Sequence, residues 1–205
     1  MEWRELEGVS WFSILKKAQE WTGELPDRKK KRLKKEPTII VDLPQLSPPD
    51  GKEELDEVLA IMEEKELDSG EIKETDKFPK KMLFSIVGKK QSDYKDLVDD
   101  LKIYTIKEKM KHKRARPYQI SDKIDKPKTD TLDSPSYPSG HTIEAIGIAT
   151  FLSDKFPDKK KELMDAANDI SLARIQMGVH FPSDIEAGKQ IGEIIGRAHI
   201  GGAKA

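Results

Sequence analysis

Apolar residues recur at helical spacing along most of this chain, and no segment alternates at strand spacing, so the core is expected to be all-α. Leu55, Val58, Leu59 and Met62 form one stripe of a helix predicted over Lys52 to Leu67. A stronger helix is predicted from Ser92 to about Lys113, capped by Ser92 or Asp93 and striped by Tyr94, Leu97, Val98, Leu101 and Thr105. Three more follow. One opens near Ser139 and is apolar nearly all round, which marks it as the central buried helix of a compact bundle. The next runs from about Asp158 to Met177 behind Pro157, and the last from near Ser183, behind Pro182, to Gly201. The most apolar stretch, Thr142 to Leu152, is interrupted by Glu144 and falls short of the roughly 20 residues that span a bilayer.

The first half is less regular. A short amphipathic helix is expected around Trp11 to Trp21. The basic run from Arg28 to Lys35 reads as a solvated linker, because dense like charge favours disorder. Pro37 to Gly51 carries four prolines and should be extended. Residues 68–80 and 117–138 read as polar loops, and Lys81 to Val87 is a short apolar stretch with no decisive period. The organisation predicted is an N-terminal extension over residues 1–90 and a helical core over 91–201.

Composition sharpens this picture. Charged residues make up 37% of the chain, against about 25% in an ordinary soluble domain. Lys and Arg (37) nearly cancel Asp and Glu (38), so no global field recruits nucleic acid or an anionic membrane surface. The absence of cysteine removes disulfides, thiol nucleophiles and cysteine metal sites. With no continuous apolar run at the N-terminus, no signal peptide is read, and a soluble, cytoplasmic protein is expected.

Three clusters carry candidate chemistry: Lys109 with Arg116-Pro117, then Pro138-Ser139-Gly140-His141, then Arg174, His180 and Asp184. Lys109 continues the stripe of its helix, so its head should point inward. Arg174 shares an otherwise core-facing row with Leu163, Ala167, Ile170 and Met177. A buried guanidinium is costly unless paired, and its planar fork suits an oxyanion. Cations converging on one point repel one another unless an anion lies between them, as in a phosphate site. Ser139-Gly140-His141 opens the buried helix, where free backbone N–H groups and the dipole favour phosphate. Asp184, four residues after His180, can accept from Nδ1 and leave Nε2 as a lone-pair nucleophile. Each cluster alone is a common structural feature; the signal lies in ten defined residues in a fixed order.

These residues resemble the signature of the type 2 phosphatidic acid phosphatase superfamily, which includes vanadium haloperoxidases. Ser136-Tyr137-Pro138-Ser139-Gly140-His141-Thr142 and the Arg174 to Asp184 segment look most like bacterial class A nonspecific acid phosphatases. The likeness runs from about Lys107 to His199 and fades before Ser92. It implies an all-α acid phosphatase/haloperoxidase-like fold and hydrolysis of phosphate monoesters through a phosphohistidine on His180, oriented by Asp184. His141 would be the general acid, and Lys109, Arg116, Arg174, Ser139 and the Gly140 amide would bind the phosphoryl oxygens. The family uses no metal or other cofactor for this reaction, and vanadate would inhibit as a phosphate mimic. A neutral His180 beside a protonated His141 implies a bell-shaped pH–rate profile. One departure is Ala173, where the family usually has Ser. Two other readings are a vanadate-dependent haloperoxidase and a non-catalytic anion- or nucleic-acid-binding protein. The partner expected is a small phosphorylated substrate; its identity and the oligomeric state are not legible.

Overall fold

A computed structural model describes residues 20–64, 70, 73–77, 79–127, 129 and 132–202. Among them the elements are helical and no strand forms. In chain order they are α1 (Asp27–Leu33), α2 (Leu55–Glu64), a π-helical turn (Lys73–Lys77), α3 (Pro79–Ile86), α4 (Lys95–His112), the single turn α5 (Pro117–Ile120), α6 (Gly140–Lys155), α7 (Lys160–Gln176) and α8 (Pro182–Gly202). Short 3₁₀ turns at Gln91–Tyr94 and Pro157–Lys159 lead into α4 and α7. No helix among the described residues is long and apolar enough to cross a membrane.

The all-α expectation matches this architecture. Helix α6 is the centre, with Ile143, Ile148, Ala149 and Leu152 fully buried against Leu101 of α4, Leu163 and Ile170 of α7 and Ile195 of α8. Its contact with α8 is backbone to backbone. A Cβ on Gly192 would lie 2.7 Å from the Ile143 carbonyl oxygen, and one on Gly196 would lie 2.6 Å from that of Gly147. This crossing brings the start of α6 beside the start of α8, where the second and third motifs lie; the Ser139 N–H donates to the Asp184 carbonyl at 2.9 Å.

Two expectations for the first half are revised, and one segment left open is settled. The Arg28–Lys35 run is not a solvated linker: residues 27–33 form α1, which packs on α4 through Trp21, Leu25, Leu33, Ile106 and Met110. Those apolar anchors hold the helix, and Asp133 takes up the charge of Arg28 and Lys29. The stretch around Lys81 is helical, with Leu83 and Phe84 buried in the main core. Within the supposed loop 68–80, residues 73–77 form the π-helical turn, and Asp76 is 3% exposed. Residues 11–19 of the helix expected around Trp11 to Trp21 lie outside the described residues. The proline-rich segment forms no helix or strand and is pinned to α4: Asp100 accepts from Thr38 N and Oγ1 (both 2.7 Å) and Ile39 N (2.9 Å).

Because nothing but backbone faces Gly192, Gly192→Ala should destabilise the protein by about 1–3 kcal/mol, the usual cost of overpacking. Chemical denaturation measures this; an unchanged midpoint would show that the two helices separate freely.

Candidate active site

Helices α4, α6 and α7 and the start of α8 converge on a cavity of about 480 Å³, whose lining includes Lys109, Arg116, Gly140, His141, Arg174 and His180. Each is delivered by its element for a local reason. Lys109 ends the buried stripe of α4. Arg116 precedes Pro117, which starts α5 with its φ already helical. Gly178, at φ +63°, takes the left-handed turn that ends α7 and directs the chain towards His180. Pro182 then opens α8.

His180 is 2% exposed and lies between a donor and an acceptor. Arg116 Nη1 sits 3.2 Å from Nε2, and Asp184 Oδ2 lies 3.0 Å from Nδ1. A guanidinium can only donate and a carboxylate only accept, so Nδ1 carries the proton and Nε2 keeps its lone pair. Burial, then the neighbouring Arg116 and Lys109, hold the His180 pKa well below its ordinary value, which keeps the ring neutral. The ring is therefore a buried, oriented base with its free electron pair towards the cations.

Asp184 is completely buried. It accepts from His180 Nδ1, the Phe181 N–H (3.0 Å), Arg114 Nη1 (2.8 Å) and the Ser136 hydroxyl. Arg114 was not singled out in the sequence, yet it links Asp184 to Glu54 (Nη2 to Oε2, 2.6 Å) and lies over the Phe181 ring at 3.9 Å. Glu54 in turn accepts from the Ser183 N–H (2.8 Å) and hydroxyl (2.7 Å). Residues just before α2 thus clamp the first turn of α8.

The cations are held by carbonyls and carboxylates. Lys109 Nζ donates to the Pro135 and Ser136 carbonyls, leaving one N–H of an ammonium for a ligand. Burial and Arg116 push its pKa well down, and Asp184 opposes them. Arg116 donates to the carbonyls of Ser134 (3.0 Å) and Val179 (2.8 Å), and burial, with Arg174 close by, lowers its pKa to about 10. Arg174, 1% exposed, pairs with Asp76.

His141 Nε2 donates to the Asp76 backbone oxygen at 2.9 Å, with the Asp76 carboxylate 3.7 Å away. Burial and Arg174 lower its pKa to about 3, against the pull of Asp76, although 19% of the side chain is exposed. Ser139 lies behind the cavity wall: fully buried, its hydroxyl caps α6 by accepting from Thr142 Oγ1 (2.9 Å) and Thr142 N (3.4 Å). The Gly140 backbone lines the cavity beside Thr105 and Lys109. Ala173 is buried in α7. Among the described residues no group of three or more His, Asp or Glu is arranged to hold a metal ion.

A family model described as the PAP2 superfamily matches residues 101–200. The match covers 100 of the 205 residues, the part of the chain that carries all three motifs. The chain is 36% identical over 59 residues to a non-specific acid phosphatase of Salmonella typhimurium, covering 29% of this chain and 24% of that protein. It is 31% identical over 78 residues to an acid phosphatase of Zymomonas mobilis, covering 37% and 30%. The chain thus spans under a third of the length of these curated relatives. A bacterial vanadium-dependent iodoperoxidase has the same fold, with a TM-score of 0.61 at 16% identity over 97% of this chain and 64% of that one.

Arg114, Glu54 and Asp76 are the residues that sequence reasoning missed. Arg114 lay inside the Lys-rich run before Arg116, Glu54 in the helix predicted over Lys52 to Leu67, and Asp76 in a segment read as a polar loop. Arg114→Met would leave the buried Asp184 and the partly buried Glu54 without their shared cation and should cost about 3–5 kcal/mol in denaturant unfolding, whereas Arg114→Lys should cost less. A loss near zero for the methionine variant would show that Glu54 and Asp184 need no shared counter-ion.

Proposed function

We propose that this protein is a phosphatase that cleaves phosphate monoesters through a phosphohistidine on His180. The supporting observation is the fixed tautomer of His180, whose unprotonated Nε2 shares a cavity with Lys109, Arg116 and Arg174. The acid phosphatase names of the partial relatives support the same reaction class. Nε2 attacks phosphorus in line with the ester oxygen, forming a P–N bond as the P–O bond breaks. Asp184 stabilises the positive charge that develops on the ring. Three cations and the Gly140 amide meet the charge on the equatorial oxygens, so the transition state is stabilised by positioned donors. His141 protonates the departing alkoxide from Nδ1 while Asp76 O keeps hold of Nε2–H. Water then attacks the phosphohistidine, with His141 taking its proton, and releases phosphate.

The low pKa of His141 fixes the direction of the pH dependence. Its acid form grows as pH falls, so kcat/KM for p-nitrophenyl phosphate in EDTA should rise from pH 8 towards pH 5. A bound phosphate dianion raises the pKa of a neighbouring imidazole, so the alkaline limb of kcat should lie at higher pH than that of kcat/KM. His180→Ala should abolish turnover at every pH. A profile flat from pH 4 to 9, or activity retained by the alanine variant, would overturn the assignment.

A second reading has one observation behind it, the fold shared with the iodoperoxidase. Vanadate has the charge and tetrahedral shape of phosphate, and the cation cradle would hold it through the same side chains. Peroxide-driven iodide oxidation after vanadate loading, with no monoester hydrolysis, would favour that reading.

A further inference from the structure

The cavity holds far more positive charge than one phosphate needs. Besides Lys109, Arg116 and Arg174, its lining includes Arg28, Lys29, Arg32, Lys77, Lys80 and Lys102. Against these stand three carboxylates, each already matched: Asp76 with Arg174, Asp133 with Arg28 and Lys29, and Glu144 with Lys80. Among the described residues, cations exceed acids by six on this surface, although the whole chain has a formal charge of −1. The surplus is therefore a local arrangement and does not reflect a generally basic protein. A phosphate ester brings about −1.5 to −2 at neutral pH and leaves most of it uncompensated.

The excess is also ordered along one wall. Lys102, Thr105, Ile106 and Lys109 all line the cavity from the same face of α4. Seven residues at 1.5 Å each put Lys102 about 10 Å from Lys109 along the helix axis. Burial depresses the Lys102 pKa most, and Lys80 of α3 and Arg32 at the end of α1 lie close enough to lower it further, against the pull of Glu144 and Asp99. Among the described residues, the side chains of Lys102 and Arg32 have no hydrogen-bond or ion-pair partner. Elsewhere on the surface, Lys159, Lys161 and Arg197 each pair with an acid three or four residues away. Holding like charges together, half-buried and unmatched, is unfavourable unless an anion joins them.

We propose that the mouth of the cavity is a second phosphate subsite, formed by Lys102 and Arg32, and that the preferred substrates carry a second phosphate within about 10 Å of the scissile one. Such substrates are bisphosphate esters or linear oligophosphates. The proposal builds on the phosphatase reading and names its substrate class. The basic helix α1, which the sequence left without a function, becomes one wall of the specificity pocket.

The test uses matched pairs on the full chain: fructose 6-phosphate against fructose 1,6-bisphosphate, and orthophosphate against tripolyphosphate. Phosphate release measures turnover for the esters and tripolyphosphate, and calorimetric titration into the His180→Ala protein measures binding of both inorganic anions. The expected result is at least a ten-fold advantage in kcat/KM or Kd for the member of one or both pairs that carries more than one phosphate. The gain should lie mainly in KM, and it should shrink in the Lys102→Ala/Arg32→Ala double variant and return in part with Lys102→Arg. The pair showing the advantage identifies the spacing. Equal values within both pairs, or an advantage unchanged in the double variant, would overturn the proposal. Absence of any hydrolysis, with tripolyphosphate still preferred in binding and the preference lost in the double variant, would uphold the subsite and refute the phosphatase reading instead.

Discussion

A carboxylate with no access to water must be fully hydrogen-bonded to remain charged, and that requirement at Asp184 organises the centre of this molecule. Its four donors come from three parts of the chain: Arg114 just after α4, Ser136 before α6, and His180 with Phe181 at the head of α8. Satisfying one side chain therefore fixes how these segments meet. It also selects the tautomer of His180, because the carboxylate accepts the Nδ1 proton and Arg116 approaches the opposite nitrogen as a donor. Packing and chemistry meet at the same atom pair.

The buried cations follow a related logic. Lys109 and Arg116 are held by backbone carbonyls of residues 134–136, and Arg116 also by that of Val179, whose dipoles offset part of the desolvation without neutralising the charge. Arg174 uses a carboxylate, Asp76, whose backbone also holds His141. The result is a cavity with preset positive charge, in which both histidines are pushed towards their neutral forms. On the phosphatase reading proposed above, an arriving phosphate dianion would relieve that electrostatic cost. Arg32 and Lys102 extend the same field outwards to the mouth.

Much of this is legible in the sequence because the signals are local. Helical periodicity predicts α2, α4 and α6 to α8, and Arg174 is conspicuous simply as an arginine on an apolar row. Lys109, Gly140, His141 and His180 line one cavity, as their order along the chain implies. What is not legible depends on partners distant in sequence. Glu54 meets Ser183 across 129 residues, and Asp76 meets Arg174 across 98. No local pattern distinguishes such an acid from a solvated one. Helix α1 is misread for the same reason: its charge density is visible in the sequence, whereas the α4 surface that anchors it is not. Ser139 shows the converse, since its motif position suggests a ligand contact and its hydroxyl caps α6.

The most direct measurement is a single turnover with ³²P-labelled phosphate monoester, quenched in alkali, where phosphohistidine survives, followed by peptide mapping. The account predicts transient label on the peptide containing His180, lost when phosphate is released and absent in His180→Ala. Turnover without labelled protein, or label on another residue, would contradict it.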